Sequence, residues 1–135
     1  MKPRWRDRLG DRGDAAIQAA IIYPIVLAVF ITGLQVALWG YARNIAETAA
    51  REGVLAGRMY GAGPGDGTAR ARNALDRLAG ENLTNRSVSA AGSTPDRIRI
   101  RVSGTAMSLI PGVPNWPVAA EASGAVERWT TPQED

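Results

Sequence analysis

The apolar residues of this chain are gathered near its N-terminus. From Ala15 to Ala42 there is no charged residue, and Gln18, Thr32 and Gln35 are the only strongly polar positions in the run. A bilayer core needs about 20 apolar residues in a helix, so residues 15–41 are expected to form one transmembrane helix with length to spare for tilt. A secretory signal has a shorter apolar region, about 7–15 residues, closed by a small-x-small site. This run is longer and passes without a turn into more helical sequence. The helix of a soluble core is a poor rival, because so short a chain cannot wrap an apolar helix of this length. Pro24 removes one backbone hydrogen bond and predicts a kink, which membrane helices tolerate.

The helical pattern does not stop at the end of the apolar run. Arg43, Glu47 and Arg51 follow each other at i,i+4, the spacing that supports an exposed helix face. Ala42, Ala46, Ala49, Ala50, Gly53 and Gly57 form a stripe of small residues on another face, and Gly33 with Ala37 makes a similar pair inside the run. Small residues let a second helix or a sheet approach closely. The stripe therefore has two readings, packing on the chain's own outer domain or assembly with other helices. A helix from about residue 14 to about residue 60 would be roughly 70 Å long at the usual rise per residue, with residues 42–60 as its extension beyond the membrane.

Residues 61–67, Gly-Ala-Gly-Pro-Gly-Asp-Gly, predict a break. They are no phosphate loop, since the Gly-Lys-Ser/Thr ending and a preceding strand are both missing. A second, amphipathic helix is expected over 68–83, with Ala71, Leu75, Leu78 and Ala79 on one face. Three strands follow. Residues 86–91 are a weak candidate. Residues 97–103 alternate strictly, with Ile98, Ile100 and Val102 on one face and Arg97, Arg99 and Arg101 on the other. Residues 118–128 alternate less cleanly, and 110–117 read as a rigid proline-rich connection. The fold class is α+β, a long N-terminal transmembrane helix extending into a small domain (68–135) with a second helix and an antiparallel sheet of about three strands. The arginine row is a basic stripe with phosphate or acidic groups as its possible targets, but such rows are more often the solvated face of a sheet.

Charge sets the expected orientation. Residues 1–14 carry Lys2, Arg4, Arg6, Arg8 and Arg12 against Asp7, Asp11 and Asp14, while Arg43, Arg51 and Arg58 lie beyond the run. The positive-inside rule then puts the basic leader, residues 1–14, in the cytoplasm and the C-terminal domain outside, with Trp39 and Tyr41 at the outer aromatic belt. Sixteen basic against thirteen acidic residues is near balance, which argues against nucleic acid as a partner. Arginine replaces lysine almost throughout, a compositional hint of a GC-rich bacterial genome. There is no cysteine and no histidine. Disulfides, thiol chemistry, the common zinc sites and the usual general base are thereby excluded, no acidic spacing marks a carboxylate pair, and neither catalysis nor a cofactor is expected.

Arg12-Gly13, the apolar segment with Pro24, Tyr41-Ala-Arg-Asn44 and Ala49-Ala-Arg-Glu-Gly53 occur in this order, and Ala125-Val-Glu-Arg128 closes the last strand. In these features the chain resembles the TadE-like family, pseudopilin-type components of the Tad (Flp-type) pilus machinery. The resemblance implies a pilin-like fold and a subunit held in the bacterial plasma membrane that packs through its N-terminal helix with other pilus assembly subunits or with itself. It implies further that a prepilin-type peptidase cuts between Gly13 and Asp14. The family's docking glutamate falls on Gln18, a departure, since an amide hydrogen-bonds but cannot neutralise a new terminal amine. Uncut, the chain would be a fixed component of the assembly platform. The alternative to a pilus role is a membrane-tethered binding module for a ligand or partner protein.

Overall fold

The structure, a computed structural model, describes residues 5–128, with side chains from Gly10 onward. Helix α1 spans Trp5–Gly57 and helix α2 spans Pro64–Leu78. Strands β1 (Leu83–Ser89), β2 (Arg97–Ala106) and β3 (Trp116–Ala125) form an antiparallel sheet in the order β1-β2-β3. This is an α+β architecture. The chain divides into two compact units, Met1–Val36 and Ala37–Asp135.

Within its described residues the first unit is the N-terminal part of α1 alone. The helix begins at Trp5, so residues expected to precede it are helical, including Gly13 and Asp14. Charges of both signs alternate over this stretch and no proline interrupts it before Pro24, so only Gly10 and Gly13 weaken the helix there without breaking it. The first four residues of the basic leader, with Lys2 and Arg4, lie outside the described residues. Pro24 sits inside the helix, which continues on both sides of it.

In the second unit the C-terminal part of α1 and the whole of α2 pack on one face of the sheet. The strict alternation of β2 delivers Ile98, Ile100, Val102 and Ala106 to that face, where Val118 and Ala120 of β3 join them. Leu75 of α2, Leu83 of β1, and Ile45 and Val54 of α1 are buried with them. Burying each large side chain of this kind contributes about 1.5–3 kcal/mol. The opposite face, with Arg97, Arg99 and Arg101, is exposed.

Several expected boundaries move. The break falls at residues 58–63 rather than 61–67, because α1 ends at Gly57 and α2 starts at Pro64. Proline suits the first helical position, where its missing N–H is not needed, and the Asp66 carboxylate accepts a hydrogen bond from the Gly63 N–H at 2.9 Å. At its other end α2 stops at Leu78 rather than near residue 83. Gly80 has φ +49, a left-handed conformation that ends helices and that glycine adopts without strain. Leu83 is then free to begin the sheet.

Strand β1 starts three residues earlier than its alternation suggests, because a bulge interrupts it. Thr84 pairs with Thr105 and Ser87 with Ser103, leaving Asn85 and Arg86 opposite Gly104 alone. Asn85 takes φ +49, and the bulge switches which residues face inward, from Leu83 before it to Val88 after it. Strand β3 takes in Trp116 and Pro117, expected in the connection. It is an edge strand, where a proline withholds no ladder donor.

Candidate membrane and packing surfaces

The first unit presents an apolar helical surface. Ile17, Ile21, Ile22, Tyr23, Ile25, Val26, Leu27, Val29 and Phe30 are all more than half exposed, with Phe30 at 66%. In water such a surface is costly, and in hydrocarbon it is what a helix requires. The stretch is long and apolar enough to cross a membrane. One of its polar groups is satisfied locally: the Thr32 hydroxyl donates to the Ala28 carbonyl at 2.8 Å, four residues back. Pro24 supplies no N–H, so the carbonyl of Ala20 loses its usual helical partner.

Gly13, Asp14 and Gln18 are exposed on this helix, and a side chain added at Gly13 would meet nothing within 4 Å. Gly33 is exposed in the same way, with nothing within 4 Å of an added Cβ. Ala37, the first residue of the second unit, is exposed as well.

The rest of the small-residue stripe has a different fate. Ala42, Ala46, Ala49 and Ala50 are fully buried in the core of the second unit, and Gly53 and Gly57 are buried with them. An added Cβ at Gly53 would lie 2.8 Å from the Gly67 carbonyl oxygen and 3.0 Å from the Ala71 Cβ. At Gly57 it would lie 3.1 Å from Ile98. Of the two readings open for the stripe, these six residues take packing on the chain's own outer domain. Salt bridges at the rim accompany this seam: Glu52 of α1 receives Arg77 at 2.9 Å and Arg70 at 3.4 Å, both from α2.

The arginine row is tied across the sheet. Arg97 donates to the Ser123 hydroxyl through two guanidinium nitrogens, at 2.9 and 3.3 Å. Arg99 pairs with Glu121 at 3.2 Å. Arg101 has Glu121 and Ala119 beside it on β3. Two of the three guanidinium groups are therefore engaged by the neighbouring strand, as on a solvated sheet face, and an acidic residue lies among them.

Sequence reasoning missed three positions. Gly67 and Gly124 give α1 its close approaches, with Gly124 lying against Val54 and Arg58. Arg86 is aimed by the bulge at the end of α2, where it donates to the Leu75 carbonyl at 3.0 Å. Gly67 sat in a stretch read as a break and Gly124 in a strand of mixed alternation. Only pairing makes their neighbours visible. Among the described residues no group of acidic side chains could hold a metal ion.

The chain thus combines one membrane-capable helix with a two-layer α+β domain. A family model for TadE-like protein matches residues 13–55, which is α1 from Gly13 almost to its end. No curated protein and no solved structure matches the chain. The TadE-like match suggests involvement in Tad pilus assembly, and that family is not a known enzyme family.

Proposed function

We propose that this chain is a membrane-anchored, pseudopilin-like subunit that takes part in assembling a Tad-type pilus by packing its N-terminal helix against other subunits or other copies of itself. Its N-terminus is inside the cell, its α+β domain outside, and it performs no catalysis. The carrying observation is that the matched family segment coincides with α1. Within that helix the small residues from Ala42 onward are already buried, while Gly33 and Ala37 remain open. Helix-to-helix assembly therefore has its place in the apolar run, where close packing through small residues is the main source of association.

The test is made in the native cell. Deleting the chain should abolish surface pili counted by electron microscopy, and the wild-type chain should restore them. A Gly33→Leu chain, inserted and folded normally, should restore fewer, because leucine holds neighbouring helices apart. Normal piliation in cells lacking the chain would sink the assembly role.

A further inference from the structure

From Val102 to Ala120 the chain has no charged residue. The middle of this stretch, residues 107–115, connects β2 to β3, and Met107, Leu109 and Val113 in it are 37%, 41% and 36% exposed. Leu55, near the C-terminal end of α1, and Met59, just beyond it, are exposed too, but Glu52 and Arg70 lie beside them. The β2–β3 connection has no such charged neighbour in sequence.

Its shape is set by its own residues. The Val113 N–H donates to the Ile110 carbonyl at 3.2 Å, and Gly112 has φ +78. Pro111 and Gly112 thus occupy the two central positions of a tight turn, where a fixed φ and a positive φ are each wanted. Pro111 and Pro114 carry no N–H, so the connection has two fewer backbone donors to strip of water.

Its position follows from three contacts along α1. Gly57 lies against Ile98, Gly53 against Ile100, and the Trp39 indole N–H donates to the Pro117 carbonyl at 3.2 Å, beside Thr105 in the ladder. Strand β2 therefore runs from the Gly57 end of the domain to the Trp39 end, and its connection to β3 leaves the sheet at the Trp39 end. Trp39 and Tyr41 are the last aromatic residues before Arg43, the first charge after the uncharged run. The Arg43 guanidinium lies 5.6 Å from the centre of the Trp39 ring and pairs with Glu47. A bilayer that holds the apolar run ends at this level, where tryptophan is favoured.

We propose that the β2–β3 connection is a second membrane contact of this chain, seating Leu109, Ile110 and Val113 in the interfacial layer of the outer leaflet. It rests on the reading of residues 15–41 as the membrane span. Trp39 ties the base of the connection to the part of α1 where the uncharged run ends.

The chain has no cysteine, so single-cysteine labelling of the full chain tests this directly. Val113→Cys, Val29→Cys and Ala125→Cys are each labelled with an environment-sensitive fluorophore. Each is reconstituted at one chain per phosphatidylcholine nanodisc, with nitroxide quenchers placed shallow or deep in the lipid. The label at position 113 should be blue-shifted and quenched by the shallow nitroxide. At 29 the deep nitroxide should quench, and at 125 neither should. Quenching at 29 with position 113 behaving like 125 overturns the second contact and leaves the span standing. Position 113 protected only when excess unlabelled chain is added would mean that the connection meets another copy, which also overturns it. Loss of quenching at 29 removes the span, and the second contact falls with it.

Discussion

Gly53 of α1 and Gly67 of α2 face each other so closely that a Cβ on either would lie 2.8–2.9 Å from the other's carbonyl oxygen. The two helices meet backbone to backbone, and Ile100 of the sheet closes the contact from below. Substituting Gly53→Ala gains up to about 1 kcal/mol of helix propensity. It also forces a methyl group onto a backbone oxygen that cannot turn aside, an overpacking cost of about 1–3 kcal/mol. The net expectation is a lower melting temperature. Gly65→Ala gives the opposite sign, because that glycine has open space around it and a negative φ. It should stabilise by about 0.4–1 kcal/mol. Thermal unfolding of both variants in the same detergent or nanodisc provides the comparison, and a stabilised Gly53→Ala would contradict the close approach.

Arg86 gives a second prediction. Its guanidinium donates to the Leu75 carbonyl, one of the last in α2, and Asp76 lies 3.8 Å away. A cation at a helix C-terminus is favourable, and a hydrogen bond from a charged donor contributes about 1.5–3 kcal/mol when buried. Because the Arg86 side chain is a third exposed, Arg86→Ala should cost an amount at or below the lower end of that range. Arg86→Lys should recover only part, since one ammonium cannot reach both groups as the fork does. Hydrogen exchange at the Leu78 and Ala79 amides should quicken in Arg86→Ala. Unchanged protection there would show that the bulge does not brace α2.

How much of this was legible in the sequence depends on whether a feature is local. The α+β class, the apolar helix and the β2 alternation of Ile98, Ile100 and Val102 could be read directly, because each rests on a short period. The glycine- and proline-rich stretch marks the end of the long helix, but its Pro64 is also the first residue of α2, which its composition does not signal. Strand β1 was misread at its beginning because Asn85 and Arg86 break its period, and nothing in the sequence signals a bulge until Gly104 lies opposite. The small-residue stripe was seen, but its partner was not. Ala46 and Gly33 look alike in sequence, and only the fold separates one that is buried from one that is exposed.

The arginine row of β2 is expected to matter little for stability. Arg99 and Glu121 are both about half exposed, and such pairs contribute about 0–1 kcal/mol. Arg99→Gln should therefore shift the unfolding midpoint only slightly. The same placement bears on nucleic acid. With Arg97 tied to Ser123 and Arg99 to Glu121, few phosphate contacts remain available, and binding that depends on phosphate contacts falls steeply with salt. Titrating the protein in nanodiscs with labelled duplex DNA at low salt should show weak binding that is unchanged by replacing all three arginines with glutamine. Tight, salt-sensitive binding lost in that triple variant would assign the row to DNA instead.

The N-terminus provides the prediction that bears most directly on assembly. Gly13 and Asp14 lie on an exposed turn of α1. A peptidase acts on an extended segment, so this turn must unwind before it can be cut. Gly10 and Gly13 lower the cost, since each glycine weakens a helix by about 0.8–1 kcal/mol relative to alanine. Intact mass and N-terminal sequencing of the chain from native membranes are expected to show a chain beginning at Asp14. Gly13→Ala should slow the cut, both by stiffening the turn and by enlarging the residue before the scissile bond. Gln18 then sets how the cut chain docks. Its amide can hydrogen-bond a neighbouring helix but carries no charge to pair with a new terminal amine, so Gln18→Glu should raise the amount of chain recovered in sheared pili. A chain from native membranes that still begins at Met1 would remove processing altogether, and the protein would then act as a fixed part of the assembly platform.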